Sequence, residues 1–163
     1  MKTYYDKYYS KAGKWMYDLC MNGAKFLHKN KWLYYILMFT WGLLMSLIGL
    51  IVTICLLIGA QKPYGIYGVW KFEIKEHWGG ADLGCMYVRD TTSSEAVDRH
   101  EAGHSYQNCI LGPLFPFIVA IPSAIRYWDR QRRAKKGETL KPYDSIWFEG
   151  SATDIGDELF LED

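Results

Sequence analysis

Residues 32–60 contain no charged side chain, and this stretch constrains the fold more than any other part of the chain. The run from Ile36 to Ile58 alone provides the roughly 20 apolar residues needed to cross a hydrocarbon core about 30 Å thick. The sequence therefore predicts one transmembrane helix over residues 32–60. Aromatic residues make up 17% of the chain, which is typical of proteins that contact a bilayer interface.

Small residues recur along one side of this predicted helix, at Gly42, Ser46 and Gly49. Such a face lets a second helix approach closely, so it is a candidate surface for a homo-oligomer. Glycine is also common in transmembrane helices in general, which is the alternative explanation.

The lysine- and tyrosine-rich segment 1–31 precedes the apolar stretch. Its apolar residues recur at helical spacing, which predicts an amphipathic helix on a membrane surface; a lysine-rich tail is the alternative. These residues are Tyr5, Tyr8, Ala12, Trp15 and Leu19. The basic residues flank apolar stretches. The sequence around them shows neither a nucleic-acid-binding fold nor aromatic residues interleaved for stacking on bases. The sequence therefore predicts a lipid bilayer as partner, and no nucleic acid.

The remaining residues, 64–163, read as one region that is mainly helical. A β-hairpin is predicted over residues 66–89, because apolar and charged residues alternate before a Gly-Gly turn. A capping sequence then predicts a helix over residues 93–111. An apolar segment follows over 110–125, and a last helix is predicted over 145–159. The fold class is thus mainly α with a β-hairpin, one transmembrane helix and a minimal zincin-like active-site helix.

Residues 100–104 read H-E-A-G-H, an H-E-x-x-H motif inside the predicted helix 93–111. The spacing puts His100 and His104 on one helix face, where both imidazoles can bind one Zn²⁺ at about 2.0 to 2.1 Å. Glu101 is displaced by about 100° around the helix and can reach a water held by the metal. The motif predicts a hydrolytic zinc site with Glu101 as general base.

A hydrolytic zinc site usually has three protein ligands and one open position. Ile110 stands where a metzincin has its third histidine, which excludes that class. A downstream acid is then needed as the third ligand. Glu149, on the predicted last helix, is favoured and gives a His-His-Glu set. Asp154 is the alternative, either as a ligand or as a group that orients a histidine.

Further short motifs surround this site: H-E-x-G-H-x-x-Q at 100–107, L-G-P-L at 111–114, I-P-S at 121–123, W-x-E-x-x-A-x-x-x-G at 147–156, T-W-G at 40–42, L-I-G-L at 47–50 and G-G-A-D-L-G at 79–84. Together they resemble a family of small bacterial membrane proteins regarded as zinc metallopeptidases. The resemblance implies a gluzincin-like site with His100, His104 and Glu149 as ligands and Glu101 as base. Asn108 departs from the family pattern, in which a serine is expected.

The second half of the predicted hairpin is a candidate for binding substrate. In zinc peptidases resembling thermolysin, a strand beside the active-site helix holds an extended substrate by backbone hydrogen bonds. A scaffold strand that only shields the helix is the alternative. The candidate residues are Leu83, Gly84, Cys85, Met86, Tyr87 and Val88.

A shared metal ion would also constrain the topology. If Glu149 binds the same ion as the two histidines, residues 105–148 must leave and return on one side of the membrane. A full crossing by residues 110–125 would separate the ligands, because the charged stretch that follows offers no way back through lipid. Residues 110–125 are therefore expected to be re-entrant or interfacial.

The predicted function is a membrane-anchored zinc peptidase acting near the bilayer on a membrane-associated or exported polypeptide. The alternative is a non-catalytic membrane interaction or assembly protein with a structural zinc site. An integral protein of the bacterial cytoplasmic membrane is expected in either case.

Overall fold

A computed structural model describes residues 8–75 and 77–161 of the chain. The described residues form six α-helices and one four-stranded sheet, which confirms a mainly helical fold with a small β component. The elements are α1 (Lys11–Lys29), α2 (Lys31–Phe39), α3 (Leu43–Ile58), β1 (Tyr64–Ile66), β2 (Val69–Glu73), β3 (Gly80–Asp82), β4 (Met86–Arg89), α4 (Glu95–Leu111), α5 (Ile121–Lys135) and α6 (Trp147–Phe160).

Within the lysine-rich start, residues 11–29 form α1, and residues 1–7 lie outside the described part. The Ser10 side chain caps the helix by accepting a hydrogen bond from the Gly13 N–H, at 3.1 Å. Cys20, Ala24 and Leu27 are buried, since this face packs against α4 and α6. The apolar stripe predicted from the sequence faces outward, with Trp15 exposed to 64%.

The prediction of a single helix over residues 32–60 is wrong. The chain forms α2 and α3, which meet at an angle of 81°. At the break, the Asn108 side-chain amide donates to the carbonyl of Gly42 at 3.2 Å, and the Ser46 hydroxyl donates to the carbonyl of Met38 at 2.8 Å. The Met38 carbonyl would pair with the Gly42 N–H in a continuous helix, but that N–H donates to Leu37 O, and the Ser46 hydroxyl takes its place.

Within the described residues, no single helix has the length and apolar character to span a membrane. By length and composition alone, two bent pairs meet that test, namely α2 with α3 and α4 with α5. Most of the α3 surface is nevertheless apolar and exposed. Its exposed residues are Leu43, Leu44, Leu47, Ile48, Ile51, Ile54, Leu57 and Ile58.

The small-residue face of α3 packs inside the chain itself. Ser46 is completely buried, and a side chain at Gly49 would collide with the carbonyl of Leu83. A side chain at Gly42 would meet Asn108 at 2.6 Å. The close approach that these residues permit is thus made to β4 and α4, which leaves this face covered rather than free for a second copy.

The sheet corrects the predicted hairpin over residues 66–89. Its strand order is β1-β2-β4-β3, with β1 and β2 antiparallel and β3 and β4 antiparallel. The central pair, β2 and β4, is parallel, with Trp70 opposite Met86. Residues 66–89 therefore belong to two short hairpins joined by a crossover, because alternation reports which face of a strand is exposed and not its partner.

The strand predicted to bind substrate is also misplaced. Met86, Tyr87 and Val88 lie in β4, which is paired on both sides and offers no free edge. The sheet has two edge strands, β1 and β3, and β3 is the one that contacts α4. Since Leu83 N–H donates to Met86 O at 2.8 Å, the alternate residues Gly80 and Asp82 direct their backbone groups away from β4.

The sheet holds the first turn of α4 through Asp98, which is 2% exposed. Its carboxylate accepts hydrogen bonds from the Tyr87 hydroxyl at 2.8 Å and from Lys71 Nζ at 3.4 Å. Arg89 Nε lies 3.2 Å from the same carboxylate. The three donors satisfy the buried carboxylate of Asp98, and their directional contacts fix α4 against β2 and β4.

The apolar segment 110–125 turns the chain back after α4. Gly112 ends the helix with φ of +56°, a left-handed conformation that suits glycine, and a side chain there would collide with Trp41. A 3₁₀ turn (Gly112–Leu114) and a π-helical turn (Pro116–Ala120) lead into α5, and the chain bends by 114°. The segment is therefore bent and does not form one straight helix, which agrees with the presence of its prolines.

Helices α4 and α6 are antiparallel and very close. A Cβ atom at Gly103 would collide with the carbonyl of Ala152, and one at Gly156 would collide with the carbonyl of Arg99. Arg99 also pairs with Asp157 at 3.1 Å. These contacts fix the register in which α6 faces the H-E-x-x-H sequence.

We expect Gly103→Ala to destabilise the protein by about 1 to 3 kcal/mol, because the added methyl group forces the two backbones apart. Gly13→Ala is the matched control, since its Cβ would make ordinary contacts at 3.4 Å and alanine favours a helix. Thermal unfolding of both variants measures the difference. Equal stability of the two would contradict the close packing of α4 and α6.

Candidate metal centre

Helices α4 and α6 bring together three of the residues predicted from the sequence. Glu149 Oε2 lies 3.2 Å from His100 Nε2 and 3.4 Å from His104 Nε2. The two Nε2 atoms are 3.1 Å apart. One carboxylate oxygen and two imidazole nitrogens thus form a nearly equilateral triangle.

The outer nitrogen of His104 is held by Gln107, one turn further along α4. Nδ1 lies 2.7 Å from Gln107 Oε1, which can only accept. The amide group of Gln107 is oriented by its two donated hydrogen bonds, to Phe148 O at 2.8 Å and to Ser151 Oγ at 2.7 Å. His104 therefore carries a proton on Nδ1, and in the neutral ring Nε2 presents a lone pair to the triangle.

The outer nitrogen of His100 is held in the same way from α6. The Thr153 hydroxyl donates to Asp144 Oδ1 at 3.0 Å, so it accepts from His100 Nδ1 at 2.9 Å. The neutral His100 ring then also directs a lone pair at the triangle. Hydrogen bonds that fix the tautomer of an imidazole are the usual surroundings of a metal-binding histidine.

Glu149 is completely buried in the first turn of α6. The Ser123 hydroxyl of α5 donates to its Oε1 at 2.5 Å. Among the described residues, none gives its Oε2 a hydrogen bond of good geometry. A buried carboxylate oxygen without a donor is costly unless a cation neutralises it.

The three atoms match the coordination of a metal ion. A tetrahedral ion with ligand distances of about 2.0 to 2.2 Å separates neighbouring ligand atoms by roughly 3.3 to 3.6 Å. The sides of the observed triangle, 3.1 to 3.4 Å, are close to that spacing. Three converging acceptors repel one another in the absence of a cation. The group formed by His100, His104 and Glu149 could therefore hold a metal ion.

Glu101 lies beside this group and outside the triangle. Its side chain lines the same cavity as the two histidines and is 5% exposed. The carboxylate accepts a hydrogen bond from the backbone N–H of Asp82, on the free edge of β3. Burial raises the pKa of Glu101 despite the nearby histidines. The carboxylate is thus suited to accept a proton inside the cavity.

Asp154, the rival ligand, is not part of the group of donors found among the described residues. It accepts a hydrogen bond from the Tyr17 hydroxyl at 2.8 Å, on the side of α6 that meets α1. Its neighbour Thr153 has the orienting role that was assigned to Asp154 as one option.

Several supporting residues were not predicted from the sequence. Two of them follow from helical spacing, since Gln107 is three residues after His104 and Thr153 is four residues after Glu149. Asp144 and Ser123 lie on other segments, and their contacts have no sequence signal of this kind.

Comparisons with known proteins give no match, whether the chain is compared with family models, with curated proteins or with solved structures.

Thr153→Val removes the acceptor for His100 Nδ1 with almost no change in volume. We expect metal affinity to fall by about 10- to 100-fold, because the imidazole loses its fixed orientation. Competition with a chromophoric chelator measures the affinity. Thr91→Val is the control, since Thr91 is exposed and its hydroxyl donates to Lys75 O away from the cavity. Similar affinities in both variants would show that the bond to Thr153 has no influence on the metal.

The metal-free protein should depend on pH through His104. Burial alone would lower the pKa of this imidazole, but Glu149 outweighs burial and raises the pKa from 6.5 to about 9. Protonation then stabilises the folded state fully below pH 6.5, and this contribution is lost as the pH rises through 9. Urea unfolding should show that decline without metal. It should not appear in the His104→Asn variant, and a rise in stability over the same range would contradict the assignment.

Proposed function

We propose that the chain is a membrane-anchored, zinc-dependent peptidase that acts near the bilayer on a membrane-associated or exported polypeptide. The observation that carries the proposal is the triangle of His100, His104 and Glu149 with Glu101 beside it in one cavity. Three ligands and a separate carboxylate are the minimum set for hydrolysis at a zinc ion.

Zinc is favoured by the donor set. Two imidazole nitrogens and one carboxylate oxygen suit zinc better than Mg²⁺ or Ca²⁺, which prefer oxygen ligands only. Three protein ligands leave a fourth position open, as catalytic zinc sites do. When bound, zinc supplies Lewis-acid chemistry, since it acidifies water and polarises a carbonyl oxygen.

Glu101 would then move the proton. Its carboxylate takes a proton from the water molecule that attacks the amide carbon, and a C–O bond forms. The same group then gives the proton to the amide nitrogen as the C–N bond breaks, which releases an amine and a carboxylic acid. The raised pKa of Glu101 favours the uptake of the proton from water, and the N–H of Asp82 holds the carboxylate in place.

The resemblance to small bacterial zinc metallopeptidases supports the same assignment. Of the four residues that the resemblance implies, the three ligands form the triangle, and Glu101 lines the same cavity as the two histidines. The proposed location in the bacterial cytoplasmic membrane also follows from that resemblance.

The apolar surface supports the membrane part of the proposal. The eight exposed aliphatic residues of α3 form a contiguous helix surface, far more than the scattered apolar residues of a typical soluble protein. Trp32, Tyr35 and Trp41 are exposed at and beside α2, where interfacial aromatics would anchor the chain. The bilayer is proposed to cover this surface of α2 and α3.

A second candidate is an assembly protein in which zinc is structural. The ligands come from both α4 and α6, so the ion would tie two helices together whether or not it is catalytic. The two candidates differ in Glu101, because a structural site requires only the ligands.

Detergent-purified protein should contain about one zinc per chain, and His104→Ala and Glu149→Ala should lose it. Each variant removes one of the three ligands, and the two that remain are too few to hold the ion. Metal analysis of the purified proteins measures the content, with His77→Ala as a control because His77 lies in the exposed loop before β3. Equal zinc in all four proteins would overturn the site.

Glu101→Gln should keep zinc and lose peptide hydrolysis by about 10²- to 10⁴-fold, because glutamine can accept the Asp82 hydrogen bond but cannot take a proton. Glu95→Gln, on the first turn of the same helix, should keep activity. Hydrolysis of a mixed peptide library by the zinc-loaded protein measures the rates. Full activity in the Glu101→Gln variant would end the peptidase proposal and favour a structural zinc.

A further inference from the structure

The cavity beside the metal centre has one polar wall and one apolar wall. Its volume is about 250 Å³, which is smaller than most sites for drug-sized ligands and is comparable to one or two large side chains. The polar wall includes Asp82, His100, Glu101, His104, Ser123 and Tyr143. The apolar wall consists of Trp78, Phe115, Val119, Ala120, Ala124 and Trp128.

The apolar wall is held rigidly. Phe115 and Val119 are almost fully buried, on the turn that leads into α5. Trp78 is fixed at the opposite end, since its indole N–H donates to Ile74 O at 2.7 Å and its carbonyl accepts from the Tyr127 hydroxyl at 2.6 Å. The shape of this wall is therefore preformed by packing and hydrogen bonds.

Basic side chains of α5 do not line the cavity. Arg126 donates to the carbonyls of Pro142 and Tyr143, and Arg130 donates to Lys141 O. Among the described residues, the lining contains no lysine or arginine. An acidic substrate side chain packed against the apolar wall would therefore have no lysine or arginine as partner, which is unfavourable.

The free edge of β3 indicates what kind of molecule fits. Gly80 and Asp82 direct backbone groups away from β4, and both residues line the cavity. The Asp82 N–H is occupied by Glu101, so the edge offers the Gly80 backbone and the Asp82 carbonyl. An extended polypeptide can form hydrogen bonds to such an edge, whereas an acyl chain cannot. This edge therefore favours a polypeptide over a lipid as the occupant.

Exposed apolar residues of α5 lie beside the cavity. Trp128 lines the cavity and is also 67% exposed. Ile121 and Ile125, on the outer side of the same helix, are exposed to at least 50%. A substrate that enters past Trp128 would pass from the exposed apolar face of α5 to the apolar wall of the cavity.

We propose that the cavity selects an extended polypeptide with a large apolar side chain, such as phenylalanine or leucine, which packs against Phe115, Val119 and Ala124 beside the metal centre. This selection rests on the proposed peptidase function, because that function makes the occupant a polypeptide. It adds that the cleaved segment is apolar, and that an acidic residue at this position is rejected.

Binding to the zinc-loaded Glu101→Gln variant tests the selection without requiring hydrolysis. Isothermal titration in phospholipid nanodiscs would compare four short peptides that carry Phe, Leu, Lys or Glu in one serine- and glutamine-rich sequence. We expect the Phe and Leu peptides to bind at least about tenfold more tightly than the Lys and Glu peptides. Equal binding of all four, tighter binding of a charged peptide, or binding of none would overturn the inference.

Ala124→Asp locates the effect in the cavity. It should remove the preference for Phe and Leu, because a carboxylate replaces part of the apolar wall. Ile125→Asp, one residue further along α5 and outside the lining, should keep the preference. An unchanged preference in the Ala124→Asp variant would contradict the proposed location.

Hydrolysis by the wild-type protein separates this inference from the proposed function. Selective binding of apolar peptides without any cleavage would leave the selection in place and refute the peptidase. Cleavage of all four peptides at similar rates would support the peptidase and refute the selection.

Discussion

The structure depends on the convergence of three hydrogen-bond acceptors at one buried point. Two imidazole nitrogens and one carboxylate oxygen lie within 3.4 Å of one another, and their outer atoms are already held by other groups. Such an arrangement is unfavourable in a low-dielectric interior unless a cation lies between the atoms. In the metal-free state a proton serves this purpose, which is why the carboxylate raises the pKa of His104.

The rest of the fold can be understood as what keeps these acceptors together. Helices α4 and α6 touch at Gly103, where a single methyl group would separate them. Gln107 and Thr153 orient the imidazoles, and the sheet fixes the first turn of α4 through Asp98. The edge of β3 holds the proposed base. Local polar contacts thus position each group of the centre from a different element.

Much of the centre was predictable from the sequence because its information is local. The spacing of His100 and His104 determines that both lie on one helix face, whatever the rest of the chain does. Glu149 was found because a downstream acid was required and it lies on a predicted helix. Ser123 was not found, since the contact depends on how the chain turns after α4.

The errors have a common physical cause, which is that composition and alternation do not report tertiary partners. An apolar stretch does not reveal the break near Gly42, where Asn108 of another helix stabilises the backbone. The same contact gives a structural role to Asn108, which stands where a serine is expected from the family that the sequence resembles. Alternation likewise predicted two strands but not that β2 and β4 are parallel. The free edge therefore fell on β3.

The most direct test of the account is X-ray absorption spectroscopy of the zinc-loaded protein. The account predicts a zinc ion with four nitrogen or oxygen neighbours at about 2.0 to 2.1 Å, two of them imidazoles that give outer-shell scattering. The Glu149→Ala variant, which should lose the ion, should not show this shell. A shell that contains sulfur, or one with fewer than two imidazoles in the wild-type protein, would contradict it.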